Sequence, residues 1–174
     1  MFLAALMTGR TSEIIGKKLD LRETVLACVS FLSSSFTALG FAAIVISVPA
    51  GLAALGNSGP HGLTEVLYVF TSTSITNGSA MGGLHVDIPL INLLTVIAML
   101  TGKFSTLIVG LLIGGSIARK GQIAVSAASL PVASPLFIAT VIFVIVIMSA
   151  LTFFPALALG PILEHLLLQL GITF

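Results

Sequence analysis

Three long apolar stretches dominate the chain, with polar segments between them. No charged residue occurs from Thr24 to Pro60, and Val25–Leu52 alone exceeds the roughly 20 residues needed to cross a hydrocarbon core. Ile88–Ala118 is apolar apart from Lys103 at its middle, and Gly121–Leu163 carries no charge, with Leu136–Phe154 as its spanning part. The pattern predicts three transmembrane helices. Met1–Thr8 is apolar as well, but it is far too short to cross and lacks the basic residues that open a signal peptide. It reads as the tail of a helix that starts earlier.

Between the first two spans lies Leu55–Gly83, LGNSGPHGLTEVLYVFTSTSITNGSAMGG, which is too polar to cross a bilayer. Pro60 suits a first helical turn and Ser58 or Asn57 a cap, while Leu63, Val66, Leu67 and Phe70 recur on one helical face. These signals predict a short helix over His61–Thr73, roughly 20 Å long and so about half the bilayer. Ser74-Ile75-Thr76-Asn77-Gly78-Ser79-Ala80 follows, with Gly82 and Gly83 behind. Irregular backbone survives at membrane depth only where protein or water satisfies it. A positive φ at Gly78 would turn successive carbonyls toward one axis, and a helix C-terminus aimed there favours a cation. Carbonyl dipoles would then replace the hydration shell of a monovalent ion. The alternative is an external loop carrying a surface helix, since Asn-Gly alone signals only a turn.

Composition fixes the solvent: 57% of the residues are hydrophobic, mean hydropathy is +1.21, and 7 Lys+Arg against 6 Asp+Glu give a net charge of +1. So few charges leave no basic face for nucleic acid. Their placement sets orientation. Arg10, Lys17, Lys18 and Arg22 precede the first span, and Arg119 and Lys120 lie between the second and third. Gly9–Glu23 and Arg119–Leu130 are therefore expected in the cytoplasm, and Leu55–Asp87 and the C-terminus outside. Cys28 has no partner for a disulfide or thiolate cluster and reads as packing.

Lys103 is the charge that demands an explanation, because an ammonium deep in the bilayer marks a functional position by default and is too far from either end to snorkel. Gly102 beside it, with Thr101 and Ser105, would permit a bend. Glu65 reads as a solvated carboxylate of the outer vestibule, and Asp87 either joins it or caps the following helix. Gly110 and Gly114 form a small-xxx-small pair. His61, His85 and His165 fall outside the spans without metal-ligand spacing. Gly56-Asn57-Ser58-Gly59 matches the short string of intramembrane serine proteases, but no histidine lies in a span to act as base. Neither a phosphate-binding loop nor the Asp-Lys-Thr-Gly phosphorylation motif occurs, so the chain is not read as an enzyme in itself.

Four separated strings carry a family resemblance. They are Gly9-Arg10-Thr11 with Gly16-Lys17-Lys18, Gly59-Pro60-His61-Gly62 with Glu65-Val66-Leu67-Tyr68, Asn77-Gly78-Ser79-Ala80, and Leu151-Thr152-Phe153 with Pro155-Ala156-Leu157-Ala158-Leu159-Gly160-Pro161. In that order they resemble the potassium-transporting subunit of the Kdp-type P-type ATPases, within the potassium-transporter superfamily. The resemblance implies an all-α integral membrane fold of four membrane-pore-membrane repeats. This chain matches the fourth repeat plus an extra C-terminal transmembrane helix, about the last third of the family's length.

The implied division is an end of a preceding helix with a cytoplasmic loop over 1–23, the repeat over 24–118, a second loop over 119–131, and the last helix with an outer tail over 132–174. The other three repeats, which supply the remaining filter strands, have no counterpart here. By resemblance, Ile75, Thr76, Asn77, Gly78, Ser79 and Ala80 form one filter strand, with K+ held through Thr76, Asn77, Gly78 and Ser79. Lys103, more often arginine in the family, with Gly102, then serves intramembrane gating or coupling, where it gates or tunes ion exit. The implied system takes up K+ at the bacterial inner membrane, with ATP and Mg2+ bound only on a P-type catalytic partner, alongside small accessory subunits, and with no covalent cofactor. The competing expectation is a small membrane protein that packs through its glycine faces and moves no ions.

Overall fold

The computed structural model describes residues 13–14, 16–122 and 134–172. Expectations for Met1–Thr8, and for most of the loop after Gly121, lie outside them. A two-residue antiparallel ladder, β1 (Glu13–Ile14) with β2 (Lys17–Lys18), pairs Glu13 with Lys18 and Ile14 with Lys17. The helices are α1 (Leu21–Ser47), α2 (Pro49–Leu52), α3 (Gly59–Ser74), α4 (Pro89–Ala118) and α5 (Pro135–Gln169).

Among the described residues three stretches are long and apolar enough to cross a membrane, Leu21–Ser47, Pro89–Ala118 and Pro135–Thr152. The chain is an all-α, multi-pass membrane protein. Its first span differs from the single run Val25–Leu52: α1 stops at Ser47, and Pro49 opens the separate α2 after the extended Val48. Proline lacks the N–H that would continue the ladder and disfavours helical backbone in the residue before it. The last helix runs past Phe154 to Gln169 with Pro155 and Pro161 inside it.

The chain divides into two compact units. The first comprises Met1–Ser30 and Leu107–Leu151, and in it the C-terminus of α4 is tied to the start of α1. Lys17 Nζ donates to the carbonyls of Ile117 (2.9 Å) and Ala118 (3.2 Å), which have no partner within their own helix. Lys120 Nζ reaches Glu23 at 2.7 Å, Asp20 at 2.8 Å and the Lys18 carbonyl at 3.0 Å. Glu23 is buried and also accepts from the Ser116 hydroxyl and the Asp20 amide. Desolvation pulls the Lys120 ammonium pKa down, but its hydrogen bonds to Asp20 and Glu23 outweigh this and hold it above the ordinary value.

The second unit comprises Phe31–Thr106 and Thr152–Phe174. Its core combines a small-residue face of α1 (Ala38, Ala42, Val45), a stripe of α4 (Ile91, Leu94, Ala98), and Val66, Leu67, Val69 and Phe70 of α3. Phe41 meets Phe70 edge to face, with ring centroids 5.9 Å apart. Lipid tails are as apolar as leucine, so close packing rather than exclusion of water holds such a core at membrane depth. The alanines matter for that reason. They let α3 come near enough for its side chains to fill the space.

Candidate functional site

The site is built on α3. This helix is buried over most of its surface, including Pro60, Gly62, Glu65, Val66, Leu67, Val69, Phe70, Ser72, Thr73 and Ser74. Its entry is held differently from the expected cap. Ser58 is the N-cap residue, yet its side chain makes no capping bond. Instead Glu65, in the second turn, accepts from the Gly56 amide (3.3 Å), the Asn57 amide (3.2 Å) and Asn57 Nδ2 (3.2 Å).

Glu65 is completely buried. The expectation of a solvated vestibule carboxylate is thus corrected: an isolated buried carboxylate would be prohibitive, and three donors folded over it make the position tenable. Ser58 is exposed at the helix entry, and among the described residues no group of three His, Cys, Asp or Glu side chains is arranged to hold a metal.

At the other end of α3 the backbone reverses through Ile75–Ala80. Thr76 N donates to the Thr73 carbonyl (2.9 Å), while Asn77 N (2.9 Å) and Gly78 N (3.4 Å) both donate to that of Ser72. Ser79 N donates to Ser72 Oγ at 2.7 Å. The Ser79 hydroxyl lies 3.0 Å from Ser72 Oγ and 2.9 Å from Tyr68 Oη. Four successive N–H groups are therefore consumed by α3. Among the described residues no carbonyl from Ile75 to Ala80 accepts a hydrogen bond, which leaves a row of acceptors without donors.

Left-handed backbone occurs at Gly78 (φ 82°), as the sequence predicts, and also at Thr76 (φ 61°). A branched residue takes that conformation only under tertiary constraint, so no sequence signal points to it. Ile75, Thr76, Asn77, Gly78 and Ala80 are exposed and Ser79 is half-buried.

Beneath the reversal sits Gly102 of α4. A Cβ there would fall 1.8 Å from the Ser74 carbonyl oxygen. In the structure the glycine serves close approach between α4 and the end of α3, where the sequence had suggested only a bend. Lys103 is its exposed neighbour, placed one residue beyond that contact. Nearby, Ser33 Oγ and Ser105 Oγ are 2.9 Å apart and join α1 to α4. Asp87 is exposed ahead of α4, and among the described residues its side chain makes no capping hydrogen bond.

The second half of α5 braces the start of α3, which the sequence reading missed. His61 Nδ1 lies 3.1 Å from Glu164 Oε2, and a Cβ at Gly160 would meet Thr64 Oγ1 at 1.9 Å. Ala156 and Leu157 pack on the core. The small residues at Ala156 and Gly160 and the charge at Glu164, spaced four apart, were the available signal.

A relative from Mesorhizobium japonicum, a potassium-transporting ATPase potassium-binding subunit, is 46% identical over the whole chain, which covers 31% of the relative. Relatives of the same description from Brucella anthropi (44% identical, 100% of this chain, 31% of the relative) and Anaeromyxobacter dehalogenans (45%, 95% of this chain, 29% of the relative) are similarly placed. The chain thus spans about 31% of the length of the relatives it matches. Residues 1–166 match the potassium-transporting ATPase A subunit. The chain belongs to the potassium-transporting ATPase A subunit family.

Proposed function

We propose that Ile75–Ala80 is one strand of a K+-selective filter in an ATP-driven uptake system, with Thr76, Asn77, Gly78 and Ser79 offering their backbone oxygens to the ion. The observation that carries this reading is the division of labour in the backbone. Every amide from Thr76 to Ser79 is turned onto α3, and among the described residues the carbonyls are left unengaged. A cation is the ligand such a row accepts. The C-terminal end of α3 adds a partial negative charge at the same place.

One strand does not encircle an ion, and equivalent strands from the other three repeats implied by the family complete the ring. Glu65 then acts as a brace for the entry of α3, Asp87 contributes to the outer field, and Lys103, one residue past the Gly102 contact, tunes exit of the ion. ATP and Mg2+ are handled by a P-type catalytic partner, and the complex sits in the bacterial inner membrane with Arg119 and Lys120 on the cytoplasmic side.

The test is Gly78→Ala, scored by competition of K+ and Na+ against radiolabelled Rb+ bound to membranes that contain the chain together with the other three repeats. Loss of preference for K+ over Na+ is expected, because φ 82° is costly for alanine. An unchanged preference would refute the filter and favour a packing module.

A further inference from the structure

We propose that a cavity formed by the start of α1 and the end of α4 binds the phosphate headgroup of an anionic phospholipid, whose acyl chain lies along α4. The cavity is about 370 Å3 and has cationic and apolar portions. Arg22, Arg119 and Lys120 supply the charge, while Leu111, Leu112 and Gly115 form the apolar wall. Lys120 is already committed to Asp20 and Glu23. Arg22 and Arg119 are exposed, and among the described residues neither takes part in an ion pair. Two arginines therefore line one cavity with no carboxylate paired to them among the described residues. Their planar forks match a phosphodiester, which each can bind through two parallel hydrogen bonds.

The apolar wall selects a lipid over free phosphate. Leu111 and Gly115 lie four residues apart and so share one stripe of α4, and Arg119 stands in the turn that directly follows the helix. Leu111 is 70% exposed. A Cβ built on Gly115 meets nothing within 4 Å, so the glycine opens a furrow between the leucines and the arginine. That stripe continues into the span Pro89–Ala118. A chain in the furrow would thus enter the hydrocarbon while its phosphate stays at the basic end, where cations attract anionic headgroups.

The experiment is native mass spectrometry of the full chain released from detergent, after equilibration with phosphatidylglycerol or with phosphatidylcholine of the same acyl composition. One phosphatidylglycerol should be retained in clear preference to phosphatidylcholine. The double variant Arg22→Gln with Arg119→Gln should weaken that retention about 30-fold, from roughly 1 kcal/mol per cation. Gly115→Leu keeps every charge, its Cβ meets nothing within 4 Å, and its side chain occupies the furrow; it should reduce retention to the phosphatidylcholine level. Lys18→Gln, which removes an exposed cation that does not line the cavity, should leave retention unchanged.

Equal retention of the two lipids would overturn the proposal, as would a Gly115→Leu variant that still holds phosphatidylglycerol. So would a loss on Lys18→Gln as large as on the arginine variant, since that would mean diffuse attraction. Displacement of the lipid by millimolar inorganic phosphate would assign the cavity to free phosphate instead. Helix content measured by circular dichroism on each variant separates lost binding from lost fold.

Discussion

Replacing Gly102 with alanine tests how α4 meets the end of α3. The new Cβ would lie 1.8 Å from the Ser74 carbonyl oxygen and 2.8 Å from its carbon. Restoring a C···O distance of about 3.3 Å requires the two segments to part by roughly 1.5 Å. The obstacle is backbone, so no rotamer change relieves it. Separation also loosens the packing of Phe70, Val66, Ile91 and Ala98, all buried to 1% or less exposure. A gap of 0.5–1 Å already forfeits about a quarter to a half of each contact's dispersion energy.

Overpacking typically costs about 1–3 kcal/mol, and a backbone obstacle belongs at the top of that range. For a chain of this size about 3 kcal/mol corresponds to a loss of roughly 6–12 °C in Tm. The comparison is Gly110→Ala on the same helix, where a Cβ meets nothing within 4 Å and the better helix former should be neutral or slightly stabilising. Thermal unfolding of both variants in one mild detergent, followed by circular dichroism, gives the answer. If the two melt within about 2 °C of each other, the close approach is not a constraint and the explanation for Gly102 is wrong.

Three further outcomes follow from other contacts. Glu65→Ala removes a buried acceptor from three donors and should cost about 3 kcal/mol in the same melt, with Glu65→Gln costing about 1 kcal/mol because one acceptor oxygen remains; equal, small losses would contradict the brace. Ser72→Ala removes the acceptor of the Ser79 amide and leaves the Ser79 hydroxyl with Tyr68 alone, and should cost about 1–2 kcal/mol. It should also reduce K+ preference over Na+ in the Rb+ competition assay, and unchanged selectivity would separate loop support from ion choice. The raised Lys120 pKa gives a contribution that is complete below the ordinary lysine value and fades as pH rises through the raised one. The stability gap between wild type and Lys120→Met should therefore stay constant at neutral pH and shrink only above about pH 10.

Spans were legible because a hydrocarbon solvent leaves one pattern, and α4 follows its expected bounds within a residue (Pro89–Ala118). The short helix and the reversal after it were also readable, since Pro60 and Gly78 mark an entry and a turn by covalent geometry. Glu65 was not: its burial depends on how Gly56 and Asn57 fold back, and nothing along the chain reports that. Gly102 was visible as a glycine, but whether it bends a helix or admits a neighbour depends on what lies opposite. The brace from α5 joins residues about a hundred positions apart, His61 with Glu164, beyond the range of any local pattern.

Ser72 receives Asn77 and Gly78 on its carbonyl and Ser79 on its hydroxyl, so most of the hydrogen bonds that hold the reversal converge on one residue of a helix. Any opening must first fray the last turn of α3, and the amides of Asn77, Gly78 and Ser79 should exchange with solvent as one group rather than in sequence order. The rate at which this segment rearranges is then set by a helix end clamped against α4, which makes the stiffness of the reversal a property of the packed unit and not of its own six residues.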